Sequence, residues 1–131
     1  MACFLVPAAE AVVTGVAKKV VENKELASEA GEEAVTHVPF SVKLGWLFKM
    51  LIGGSVLLMF EHLWHGEVVP FFPFLSAMRD PEDAAEMFAE MGTVGVTMAV
   101  LITVVWVGMV LVSNAMEKRA ASEAVAAEED K

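Results

Sequence analysis

Residues 92–112 read GTVGVTMAVLITVVWVGMVLV, a run of 21 residues without one charged side chain. At 1.5 Å per residue a helix of that length is about 31 Å long, which matches the hydrocarbon core of a bilayer. The run is rich in β-branched residues and would favour a strand in water. A lone strand in hydrocarbon leaves its amides unpaired, so the helix wins. The competing reading, a buried core helix of a soluble domain, fails on size: 131 residues can hardly cover such a helix on every side.

Working outward, residues 44–65, LGWLFKMLIGGSVLLMFEHLWH, form a second and less pure candidate span. Trp46 and Trp64 stand 18 positions apart, about 27 Å on a helix, the separation of two interfacial aromatic belts. Lys49 lies within snorkelling reach of the nearer headgroups. Lys18, Lys19, Lys24 and Lys43 precede this helix and Lys118 and Arg119 follow the last one, whereas the connection 66–91 sets Arg79 against six acids. Both basic flanks are therefore expected in the cytoplasm, which puts the N- and C-termini there and the acidic connection outside a plasma or inner membrane.

That connection has two parts. Residues 68–75, VVPFFPFL, are too apolar for a solvated loop and are expected at the membrane surface or against a partner. Asp80-Pro81-Glu82-Asp83 carries the marks of a helix start: a capping carboxylate, a proline at the first helical position and acids at the positive end of the dipole. Nothing from there to Arg119 demands a break, although Gly92 permits one.

The N-terminal stretch is apolar from Ala2 to Ala17 except for Glu10 and Thr14. Val6, Ala9, Val13, Val16 and Val20 recur at helical spacing on one face, and Glu10, Thr14, Lys18 and Glu22 on another. An amphipathic helix, interfacial or packed, is expected; a third span with the N-terminus outside is the alternative.

The expected fold is thus all-α: an integral membrane helical hairpin of two transmembrane helices, with an N-terminal amphipathic helix and an acidic extramembrane helix. Residues 1–36 hold the amphipathic helix and an acidic linker, 37–119 the membrane domain, and 120–131 an acidic tail.

The composition narrows function. The chain is 56 % apolar and carries a formal charge of −9, which disfavours nucleic acid as a partner because phosphate binding needs a concentrated basic surface. The single cysteine, Cys3, permits neither an internal disulfide nor a CxxC metal site. No basic n-region precedes the apolar start, so a cleaved secretory signal is a poor reading. No phosphate loop, HExxH or GxSxG occurs, and no enzyme is expected.

Ionisable residues near hydrocarbon are the natural place to look for chemistry. Glu61 and His65 are i and i+4, and His62 and His65 are i and i+3, so the three can share a helix face. Such a face suits a divalent transition metal, with Glu67 or a carboxylate of the acidic helix completing the shell, or a proton relay. Haem is a weaker reading, since histidines on one helix cannot grip both sides of the iron. Met87 and Met91 suggest copper by spacing, but methionine also fills irregular apolar gaps. Gly95, Ala99 and Thr103 repeat every four residues on the last span, and Gly53 and Gly54 lie midway along the other; all five permit close helix approach. The leading expectation is an accessory or structural subunit, or a homo-oligomeric interaction module, whose partners are the bilayer and other membrane subunits or copies of itself. The rivals are a metal-ion or proton transporter using Glu61, His62 and His65, and a haem-holding anchor.

Overall fold

A computed structural model describes residues 2–28 and 37–129 of the chain. Among them the protein is helical: α1 (Leu5–Ser28), α2 (Phe40–Trp64), a short 3-10 turn (Ser76–Arg79), α3 (Pro81–Glu90) and α4 (Val96–Glu129). A π turn, Met91–Gly95, joins α3 to α4 without a break, and the helix from Pro81 to Glu128 is continuous. Two helices, this one and α2, are long and apolar enough to cross a membrane.

The three long helices lie side by side. Phe4 meets His62 at one end and Glu25 reaches Phe40 at the other, so α1 and α2 run antiparallel. Gly95 lies against Cys3 and Val6, and Thr103 bonds Glu10, so α4 runs parallel to α1. α1 packs lengthwise along α2 and against the early turns of α4. It follows that the start of α1 stands at the end of the bundle carrying the 66–91 connection, here the outer end, while the far end of α4 stands at the other, the inner end. Lys18, Lys43 and Lys118 all lie near the inner end.

Local sequence accounts for most boundaries. Asp80 accepts the Glu82 amide at 3.0 Å and Pro81 opens α3, as the sequence predicts. α2 stops at a Schellman turn in which the Glu67 amide donates to the His62 carbonyl and the Gly66 amide to that of Leu63. Gly66 takes a φ of +73° there, where a side chain is strained. The start of α2 is different. Pro39 provides no side-chain cap, and the first amides, of Phe40 and Ser41, donate instead to the Glu25 carboxylate of α1.

The core is small. Ala11, Leu47 and Leu51 are buried between the helices, with Phe48, Ile102 and Trp106 packed around them. At the outer end a second cluster joins Ala2, Ala77 and Met87, flanked by Leu75 and Met91.

Around this apolar core the helices expose far more aliphatic surface than a water-soluble bundle does. From Val13 onward the valine stripe of α1 faces outward, with Val13 68 % and Val16 61 % exposed, whereas Val6 packs against Gly95 and Pro7, Ala11 and Thr14 are buried. Lys43, Ser41, Ser55 and His62 are buried as well. On α4, Val100, Leu101, Val104, Val105, Leu111 and Val112 are all exposed.

Candidate functional site

The residues singled out by sequence at the end of α2 separate in space. Glu61 and His65 stack on the outward face and are exposed; His62, about 100° round the helix from Glu61, turns inward and is buried. Its ring meets Phe4 edge-on at 5.8 Å, and its Nε2 is enclosed without a hydrogen-bond partner among the described residues. Glu67 lies beyond the Schellman turn, where its carbonyl accepts from the amide and hydroxyl of Ser76. No group of three or more His, Cys, Asp or Glu side chains converges among the described residues, so the expected ligand set of Glu61, His62 and His65 is not assembled. His62 is buried and His65 exposed, so the two imidazoles have different surroundings. Met87 is buried and Met91 half-buried in the apolar outer cluster, so both act there as packing residues.

The small residues fare better. Gly95 is buried where α4 crosses the start of α1: a Cβ there would stand 2.8 Å from Val6 Cγ2 and 3.0 Å from the Cys3 carbonyl oxygen. Ala99 is buried and Thr103 half-buried on the same stripe. Gly54 faces Ile102, to which a Cβ would come within 3.2 Å. Gly53 is the exception, because it opens outward with nothing within 4 Å of a Cβ. Trp46 is half-buried, Trp64 is 80 % exposed and Lys49 is exposed, at the two ends of α2.

Two polar constellations escape the sequence reading. The first lies midway along the bundle. Glu10 accepts a hydrogen bond of 2.6 Å from the Thr103 hydroxyl, whose position also allows donation to the Ala99 carbonyl at 2.9 Å. The carboxylate is half-buried at the floor of a lateral groove of about 440 Å³, otherwise walled by Val96, Ala99, Val100, Val104 and Val107. Here a single carboxylate faces an apolar cleft. The available signal was a lone acid inside an apolar run, the pattern that marks function when it lies in a membrane.

The second lies at the inner end. Lys43, 5 % exposed, donates to Asn114 Oδ1 at 2.6 Å and pairs with Glu117 at 3.0 Å. Ser113 donates to the same Glu117 oxygen at 2.7 Å, and the Trp106 indole donates to the Lys43 carbonyl at 2.6 Å. The Ser113 hydroxyl first, and Lys43 second, hold the Glu117 carboxyl below the ordinary carboxylate range. These bonds fasten α2 to α4. An open pocket of about 500 Å³ beside them is lined by Glu25, His37, Lys43, Asn114, Glu117 and Lys118 among others.

The interior polar groups do not connect. Thr14 and Ser55 donate to the carbonyls of their own helices, of Glu10 and Leu51, and the Ala11–Leu47–Leu51 core fills the space between the helices. Comparison of the chain with family models, curated proteins and solved structures finds no match.

Proposed function

We propose that this chain is an integral membrane protein in which α1 accompanies the two spans of α2 and α4 through the bilayer, and that it serves as a non-catalytic subunit, an interaction module of a membrane assembly. The exposed aliphatic surface of α1 and α4 carries the reading. In water, the outward valines of α1 and the outward face of α4 would each lose the transfer free energy of an exposed aliphatic side chain, roughly 1.5–3 kcal/mol apiece. In lipid that loss vanishes, and burial of Thr14, Lys43, Ser55 and His62 becomes the economical arrangement.

The charge pattern supports an orientation. With Lys18, Lys43 and Lys118 near one end and the acids of α3 at the other, the positive-inside rule places the inner end in the cytoplasm. α1 then enters from outside, so this reading sets the N-terminus outside and keeps the C-terminus in the cytoplasm. Protease protection of N- and C-terminal epitope tags in sealed vesicles tests it: the N-terminal tag is cleaved from the outer face alone, and cleavage of both tags from one face would exclude three spans.

The interaction role rests on what the bundle leaves uncovered. Only 11 % of the most apolar window of the last helix is buried. Phe71, Phe72 and Phe74 project from the outer connection, and the Glu10 groove opens laterally. Against transport, the expected ligand set is scattered and the core between the helices is apolar. Native mass spectrometry from a mild detergent is the direct test. A particle heavier than one chain supports the subunit reading; a bare monomer from both detergent and lipid nanodiscs overturns it.

A further inference from the structure

Two charges on the lateral surface stand out because none of the described residues neutralises them. Among the described residues Glu10 is met by the Thr103 hydroxyl and by no cation. Lys49 is exposed on α2, and no ion pair engages it among the described residues. They lie on different faces of the bundle but at related depths. In the antiparallel α1–α2 pair Gly15 lies against Phe48 and Gly45 against Lys18, so Lys49 stands about one turn nearer the inner end than Glu10. That offset, about 6 Å, is within the compass of a lysine's four-carbon stem.

The surfaces around the two charges differ in shape in the complementary sense. Glu10 sits in a cleft between valines of α4. Lys49 begins an outward ridge with Gly53, Val56 and Phe60, in which Gly53 has open space where a Cβ would be. A glycine one turn above the lysine lets a neighbouring backbone come close.

We propose that the Glu10 groove receives the Lys49–Gly53 ridge of a second copy of this chain in the same bilayer, with the Lys49 ammonium pairing to the Glu10 carboxylate. This deepens the subunit reading and rests on it. The two surfaces are different patches, so the contact is head-to-tail: each copy offers one groove and one ridge, and closure gives a ring. Away from water the pair neutralises two charges that lipid alone would leave exposed.

Energy transfer between donor- and acceptor-labelled copies, reconstituted in phosphatidylcholine vesicles over a range of protein-to-lipid ratios, measures the association. Wild type self-associates, Glu10→Gln and Lys49→Gln each weaken it at least tenfold, and the exchange E10K with K49E in one chain restores it. Gly53→Leu, at a position open in the isolated bundle, abolishes association while helicity by circular dichroism is unchanged. Carbodiimide coupling in a mixture of ¹⁴N and ¹⁵N copies yields mixed-isotope Glu10–Lys49 peptides. Self-association that neither the charge variants nor Gly53→Leu perturbs overturns the proposal and leaves the subunit reading standing; Lys49 then reaches lipid phosphate. A chain that associates only with a different protein does the same. A monomer under every condition removes both.

Discussion

The two ends of the bundle are held by different physics. At the inner end Lys43, Asn114, Ser113 and Glu117 form a bonded network, the Trp106 indole adds a bond to the Lys43 carbonyl, and Glu25 caps α2 from another helix. At the outer end the described contacts are mainly steric: Gly95 under Cys3 and Val6, Phe4 on His62, and the Ala2–Ala77–Met87 cluster. Between them the Thr103–Glu10 hydrogen bond ties α4 to α1 midway along the bundle. The inner end should therefore respond to charge and pH, and the outer end to volume.

The sharpest way to break this contrast is Gly95→Leu. Its side chain must displace α1 backbone rather than a flexible tip, so it is expected to destabilise the α1–α4 contact by about 1–3 kcal/mol, the range for overpacking. Hydrogen exchange checks it: protection falls first in residues 5–15 and changes little around Lys43. Uniform loss across both ends would show that the ends are one cooperative unit.

Two smaller substitutions, one at each end, sharpen the comparison. Trp106→Phe keeps an aromatic ring but deletes both the bond to the Lys43 carbonyl and the pyrrole part of the indole that packs on the core, for an expected loss of about 1–2 kcal/mol in reversible unfolding. Gly66→Ala puts a Cβ on a residue with φ of +73° and should cost about 1 kcal/mol, with fraying confined to the C-terminal turn of α2.

The smallest effect is acid loosening of the inner end. Because the folded Glu117 carboxyl titrates below its unfolded value, its contribution is complete above the ordinary carboxylate pKa of 4.5 and is lost as pH falls through the lower folded value. Trp106 emission should report a small change over that acidic window, and Glu117→Gln should remove it. An unchanged titration in Glu117→Gln would assign the transition elsewhere.

Much of the framework was legible. The uncharged run at 92–112, the impure run at 44–65 and the Asp80–Pro81 start each express local rules of hydropathy or capping, and the helices lie where those rules put them. The continuation of the last helix past Gly92 was legible too, although the π turn at Met91–Gly95, which packs against the start of α1, was not, because no local pattern marks it. The candidate site was read less well. Glu61, His62 and His65 are close in sequence, but the inward face of α2 is chosen by where α1 packs, and that choice takes His62 and leaves the other two outside. Glu10 was read only as one residue on the more polar face of an amphipathic helix. It is met by Thr103, 93 positions away, a pairing no local pattern contains.

The sequence alone decided that the chain is helical, where its two most apolar helices lie and which end gathers the basic residues, since these follow from composition and periods within a few turns. Tertiary structure decided that α1 runs lengthwise with its valine stripe outward from Val13, that α2 borrows its cap from Glu25, and that Lys43 and Glu10 find partners on α4. Those outcomes depend on which helix faces pack together, a choice between surfaces of similar hydropathy that close approach at Gly95 and Gly54 and a few long-range hydrogen bonds resolve.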